Sequence, residues 1–122
     1  QHIDNRIKFF NSDIDNFYTG KYDLIISNPP YIKHHKINGL EKDIKNHEPK
    51  VAINGGIDGY DKIRLIIKKS SILIKKRGKL FLELGINQTK ETLKILNLNG
   101  FYKTKVIKDL ASKNRCIIST KI

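Results

Sequence analysis

The chain has 122 residues, 39% of them hydrophobic and 30% charged. That is a normal size for one domain with its own core, and it excludes a disordered chain and a disulfide-held miniprotein. Lys and Arg outnumber Asp and Glu by 24 to 12, a net charge of +12, which ordinarily points to a polyanionic partner. Yet 20 Lys, 21 Ile and 11 Asn make up 52 of the 122 residues, and all three have A/T-rich codons. Genome composition therefore accounts for much of the lysine. Arginine, whose planar fork suits phosphates and bases, occurs only at Arg6, Arg64, Arg77 and Arg115. Nucleic acid is kept as a partner, but not the favoured one. The single cysteine excludes a disulfide framework and a Cys-based zinc site, and it suits a reducing, cytoplasmic compartment. No apolar run approaches a membrane span, and no charged-then-apolar leader opens the chain. The chain opens on Gln1 and has no methionine, so the expectation is a single partial domain over residues 1–122.

Taken in order, residues 6–10 predict a short strand ended by Asn11, Ser12 and Asp13. Residues 22–27 predict a second strand, whose Leu24-Ile25-Ile26 run suits burial on both faces in a parallel sheet. Residues 32–57 lack periodicity, and at that length such a loop is either functional or disordered. A helix follows from Asp58 or Asp61, with either carboxylate as N-cap. Ile63, Ile66, Ile67, Ser70, Leu73 and Ile74 form its buried stripe. Lys68, Lys69, Lys75, Lys76 and Arg77 take the other face and last turn, and Gly78 is the stop. Residues 79–84 predict a strand, 88–96 a helix closed by Asn99-Gly100, and 101–108 and 114–121 a final antiparallel pair. The order is that of an α/β domain.

One segment carries chemistry. Asn28-Pro29-Pro30-Tyr31 follows the buried strand directly, and the carboxyl ends of strands are where open α/β sheets bind ligands. The prolines fix φ and remove two successive backbone donors, so their carbonyls face no competing N–H. Pro29 also biases Asn28 toward extended backbone. The Asn28 carboxamide oxygen and the Pro29 carbonyl then form a pair of acceptors, with the Tyr31 ring as a flat wall. A planar NH2 on an sp2 carbon, either a carboxamide or an exocyclic base amine, suits such a site. Its nitrogen is a poor nucleophile, and gripping both N–H bonds orients it and stabilises the positive charge that grows on attack. The competing reading is a proline-stiffened turn.

At residues 22–32 the sequence resembles the signature of S-adenosylmethionine-dependent amino-methyltransferases. The downstream text resembles the HemK/PrmC family, the peptide chain release factor N5-glutamine methyltransferases. Its carriers are His47-Glu48-Pro49 with Val51-Ala52-Ile53, Gly55-Gly56-Ile57-Asp58-Gly59 with Arg64, Leu82-Glu83-Leu84-Gly85 with Gln88, and Lys108-Asp109-Leu110-Ala111 with Arg115. The implied fold is a partial Rossmann-like class I methyltransferase fold, mostly parallel, with an antiparallel C-terminal strand. The implied cofactor is S-adenosyl-L-methionine and the implied substrate a release-factor glutamine. By this resemblance Asn28, Pro29, Pro30 and Tyr31 are catalytic and hold the substrate amide together with Glu48 and Pro49. Asn28, Asp13 and Ile14 would meet the cofactor. Ile14 and His47 depart from the aromatic residues common at those places in the family.

The family's glycine-rich cofactor loop has no counterpart here, since no Gly-x-Gly follows a strand and Gly55-Gly56 precedes a helix. The resemblance thus implies that the first two strands and the N-terminal helical domain are missing. The strand before Asn28 would then become an open edge, which invites self-association. Elsewhere, His34 and His35 are adjacent and point apart on an extended loop, so no metal site is expected. Asp109, Lys113 and Arg115 are read as loop capping and surface charge, and Glu83 as a residue that orients a loop. No Ser or Cys has a base arranged beside it as a nucleophile needs. Two alternatives to a glutamine methyltransferase stay open. One is a nucleic-acid amino-methyltransferase acting on adenine or guanine. The other is a non-catalytic piece that cannot hold cofactor.

Overall fold

A computed structural model describes residues 3–29 and 59–122. Its strands are β1 (Tyr22–Ser27), β2 (Ile74–Glu83), β3 (Phe101–Lys108) and β4 (Asn114–Lys121), and its helices α1 (Asp61–Leu73) and α2 (Thr89–Leu98). They form one four-stranded sheet in the order β1-β2-β4-β3. β1 and β2 are parallel, while β4 is antiparallel to both β2 and β3. Three strands therefore run one way, and the last strand alone opposes them, inserted between β2 and β3. This is the α/β fold expected, mostly parallel with an antiparallel C-terminal strand.

Both helices cover the same face. Ile63 and Ile67 of α1 and Ile95 and Leu96 of α2 meet Leu80 and Leu82 of β2 in one cluster, completed by Leu84, Phe101 and Ile117. Alternation along β2 aims Leu80 and Leu82 at the helices and leaves Lys79 and Phe81 on the other face. β1 was expected to be buried on both faces, and it is not. Ile25 pairs with Leu80 and packs on the core, but Leu24 and Ile26 are 52% and 68% exposed. The reason is topological: among the described residues β1 has a neighbour only on its β2 side, and no element covers its outer face.

Other expectations fail for reasons of the same kind. Residues 6–10 form no strand; a 3₁₀ turn spans Ile3–Arg6 and irregular backbone follows. A strand needs a ladder to take its N–H and C=O groups, and no described strand lies beside this one. The N-cap of α1 is Tyr60, with no side-chain cap bond, and Asp61 is the first helical residue, bonded to Arg64 at 3.1 Å. Asp58 lies outside the described residues, as do the whole 32–57 loop and the Pro30, Tyr31, Glu48 and Pro49 site residues.

The helix stops at Leu73, five residues before Gly78, and Ile74 already begins β2. Between the pairs Tyr22–Ile74 and Leu24–Lys79 the register shifts, so Lys75 to Gly78 bulge opposite Asp23. Lys75 meets the Asp23 carboxylate there at 3.3 Å. Gly78 is demanded by this bulge, because a Cβ would lie 2.5 Å from Ile74 Cγ1 and 2.8 Å from the Lys75 carbonyl oxygen. Lys69 is not on the solvent face either. It is buried, with its ammonium 3.4 Å from the centre of the Tyr18 ring.

Candidate functional site at the carboxyl edge of the sheet

Parallel pairing of β1 with β2 sets Ser27 opposite Leu82, so Asn28 leaves the sheet beside Glu83. Antiparallel pairing sets Glu83 opposite Cys116, and Lys108 opposite Asn114. The carboxyl ends of β1, β2 and β3 and the start of β4 therefore share one edge. Asn28 is exposed there, and its side chain makes no hydrogen bond among the described residues, while Pro29 is fully buried. A buried proline behind an exposed carboxamide anchors the backbone, and the acceptor has no partner among the described residues, which suits capture of an external donor.

The loop after β2 is held by one side chain. Gln88, 5% exposed, accepts from the Gly85 N–H at 2.9 Å and donates to the Gly59 carbonyl at 3.2 Å. It thereby ties Gly59, two residues before α1, to the carboxyl end of β2. The Leu84 N–H donates to the Arg115 carbonyl at 2.7 Å and carries the ladder one step further. Gln88 was legible only as one letter of a motif; its role needed the fold. Replacing it with leucine strands a buried N–H and a buried carbonyl. Gln88→Leu is therefore expected to cost roughly 2–4 kcal/mol in denaturant unfolding, and a loss below about 0.5 kcal/mol would show that the clamp is dispensable.

The turn between β3 and β4 is equally defined. Asp109 Oδ1 accepts from the Ala111 and Lys113 amides at 2.9 and 3.0 Å, and Arg115 Nη2 reaches Oδ2 at 3.2 Å. Chiefly the Lys113 amide, with Ala111 and Arg115, holds the Asp109 carboxyl below the usual carboxylate range. Asp109 and Arg115 thus cap a loop, as their spacing suggested. Burial pushes the Cys116 thiol up, with the Glu83 charge adding to the effect, which does not favour a thiolate nucleophile.

Asp13 and Ile14 lie before β1, outside the strands of the sheet. They open a 3₁₀ turn, Ile14–Asn16, that packs on α1. From there Phe17 stacks on Tyr22, the first residue of β1, at 6.4 Å, and Lys21 donates to the Ile72 carbonyl at the end of α1. Among the described residues no hydrogen bond joins Asp13 or Ile14 to Asn28. Groups of three or more His, Cys, Asp or Glu placed to hold a metal are likewise absent among the described residues. No described helix is long and apolar enough to cross a membrane.

The mixed sheet with its inserted antiparallel last strand has the class I methyltransferase fold. A methyltransferase from Pyrococcus furiosus shares it at a TM-score of 0.50 and 18% identity, over 84% of this chain and 42% of that one. The chain belongs to the family described as Eco57I restriction-modification methylase, which matches residues 1–118. It is also similar to the release factor glutamine methyltransferase of Clostridium botulinum, 42% identical over 101 residues, and to that of Clostridium acetobutylicum, 34% identical over 122 residues. These alignments take in 83% and 98% of this chain but only 36% and 43% of the relatives, so the chain spans well under half their length. The resemblance to the HemK/PrmC methyltransferases read from the motifs is borne out by these relatives.

Methyltransferases of this kind use S-adenosylmethionine in general. The residues of this chain fit one side of such a group: the exposed Asn28 carboxamide stands at the carboxyl edge, beside the β1 flank on which no described strand pairs. No Gly-x-Gly turn occurs in the 122 residues to cradle its ribose and carboxylate.

Proposed function

We propose that this chain carries the substrate-holding part of an S-adenosylmethionine-dependent methyltransferase that modifies the side-chain amide nitrogen of a glutamine in a peptide chain release factor. The observation that carries the reading is the exposed Asn28 on a buried Pro29 at the carboxyl edge of a methyltransferase sheet. It is supported by the relatives named release factor glutamine methyltransferase, at 34–42% identity. In this reading the Asn28 carboxamide oxygen and the Pro29 carbonyl accept the two N–H bonds of the glutamine amide. Pro30 and Tyr31 close over its flat face, and Glu48 and Pro49 flank the substrate. The two acceptors orient the nitrogen and stabilise the charge it acquires. When bound, S-adenosylmethionine supplies an electrophilic sulfonium methyl group. Asp13 and Ile14 are proposed to meet its adenine, and Asn28 to touch it from the substrate side.

A second reading is favoured by the family's restriction-modification description. The same two acceptors would serve an exocyclic base amine, and the basic surface would hold the polyanion. Methyl transfer by the naturally occurring full-length protein separates the two. Labelling of a release factor, abolished when its acceptor glutamine is changed to asparagine, is the expected result. Labelling of DNA or RNA with none on the factor overturns the reading.

A further inference from the structure

A cleft of about 710 Å³ opens between the start of α2 and the β3–β4 turn. Three lysines line it, Lys90, Lys108 and Lys113, from three different elements. No Asp or Glu is among its lining residues, and no carboxylate pairs with these lysines among the described residues. The acids next to Lys108 and Lys90 in sequence are engaged elsewhere: Asp109 with its own turn and Arg115, and Glu91 with Lys94 at 3.5 Å. Abundance of lysine explains how many there are; it does not explain three converging on one cavity with no counter-charge. The walls are built rather than loose. Asn114 Nδ2 donates to Thr89 Oγ1 at 3.2 Å across the floor, and the Asp109 cap fixes the turn that presents Lys113.

The cleft lies on the same edge as Asn28. β1, β2, β4 and β3 are successive neighbours, so Lys113 beside β4 and Lys108 on β3 stand two and three strands away, roughly 10–15 Å from the β1 end at the usual strand spacing. Ile86, 63% exposed, lines the cleft, and Leu110 stands fully exposed at the tip of the adjoining turn. Among the described residues the lining has neither an aromatic ring to stack a base nor an arginine to fork a phosphate. Positive charge rimmed by exposed aliphatic side chains suits a folded protein surface better than a nucleic-acid backbone.

We infer that this cleft is a docking site for an acidic, partly apolar surface of the protein substrate, engaged while that substrate's glutamine lies at Asn28. The inference rests on the proposed protein-glutamine reading and adds a second point of attachment to it. Such a site steers encounter and fixes register, so it acts on KM and on salt dependence more than on the chemical step.

The test compares the full-length protein with its Lys90→Gln/Lys108→Gln/Lys113→Gln variant on two substrates, intact release factor and a short peptide carrying the acceptor glutamine. Expected are a KM for intact factor raised about tenfold or more, kcat within about twofold, unchanged kinetics on the peptide, and a shallower salt dependence of kcat/KM. A control triple variant at Lys68, Lys76 and Lys105, which removes equal charge outside the cleft, is expected to behave as wild type. An unchanged KM for intact factor, or an equal rise with the control variant, overturns the docking site. Should wild type methylate neither substrate, the glutamine reading has failed, and anisotropy of labelled release factor decides the cleft separately. Binding weakened by the cleft variant alone supports the site, and binding equal to wild type overturns it. A cleft variant that loses affinity for a single-stranded oligonucleotide while keeping its affinity for the factor also overturns it.

Discussion

Asn28→Ala is expected to lower kcat for release-factor methylation about 10²–10³-fold, the cost typical of removing one preorganised polar group aimed at developing charge. The carboxamide oxygen is one of two acceptors proposed to grip the amide. Its loss leaves the nitrogen held by the Pro29 carbonyl alone, free to rotate away from the line of attack. The fold is expected to be indifferent. Asn28 is exposed, follows the last residue of β1, and makes no side-chain hydrogen bond among the described residues. The unfolding midpoint should therefore stay within the range of an ordinary surface substitution, about 0.5 kcal/mol. Circular dichroism alongside single-turnover methyl transfer makes the distinction. Undiminished transfer by a folded Asn28→Ala protein would remove the acceptor pair from the mechanism.

Leu82→Ala should do the reverse and act through stability. Leu82 is wholly buried in β2, paired with Ser27 on one side and Ile117 on the other. Truncating a buried leucine costs about 2–5 kcal/mol, set by how far the site collapses. A domain whose whole stability is about 5–15 kcal/mol loses a large share of it by that one change. Because Leu82 faces Ser27, the residue just before Asn28, the cavity also loosens the strand that presents the acceptor. Activity is expected to fall in parallel with the folded fraction and to recover on cooling or with a stabilising osmolyte, which an Asn28→Ala loss would not do. Chemical denaturation checks the first part. A loss of under about 1 kcal/mol would mean that this core is far more plastic than its packing implies.

Several features were legible before any fold was known. The β1, β3 and β4 segments match the expected bounds residue for residue, because each is rich in β-branched or aromatic residues and turn formers punctuate them: Gly20 and Asn28-Pro29 about β1, Gly100 before β3, and the Asp109 turn between β3 and β4. α2 was displaced by only one residue at its start and two at its end, and it closes at Asn99 and at Gly100, whose φ is +83°. Asn28 at the end of a strand, the feature on which the proposed function turns, was readable from eleven letters.

Other features had no local signal. A lysine in the third turn of an amphipathic helix reads as solvated. Lys69 is buried because Tyr18, fifty-one residues earlier, brings a ring to its ammonium. Gly78 reads as a helix stop, yet it sits in a bulge whose crowding comes from Ile74 and from Asp23 across the sheet. Leu24 and Ile26 read as buried, and they are exposed because the helices share one face. The basic cleft draws its three lysines from α2, β3 and the turn beyond it, with no sequence spacing in common.

The sequence by itself determined the bounds of β1, β3 and β4 and nearly those of α2, the chemistry offered by Asn28 and Pro29, and the kinship with methyltransferases. Those rest on local propensity, proline geometry and motif order, all written within a few residues of one another. Only the tertiary structure decided which face of β1 is covered, that Gln88 clamps Gly59 to Gly85, and that Lys90, Lys108 and Lys113 meet on the edge that carries Asn28. Burial and charge convergence are properties of neighbours distant along the chain, and the chain's pairing order alone brings those neighbours together.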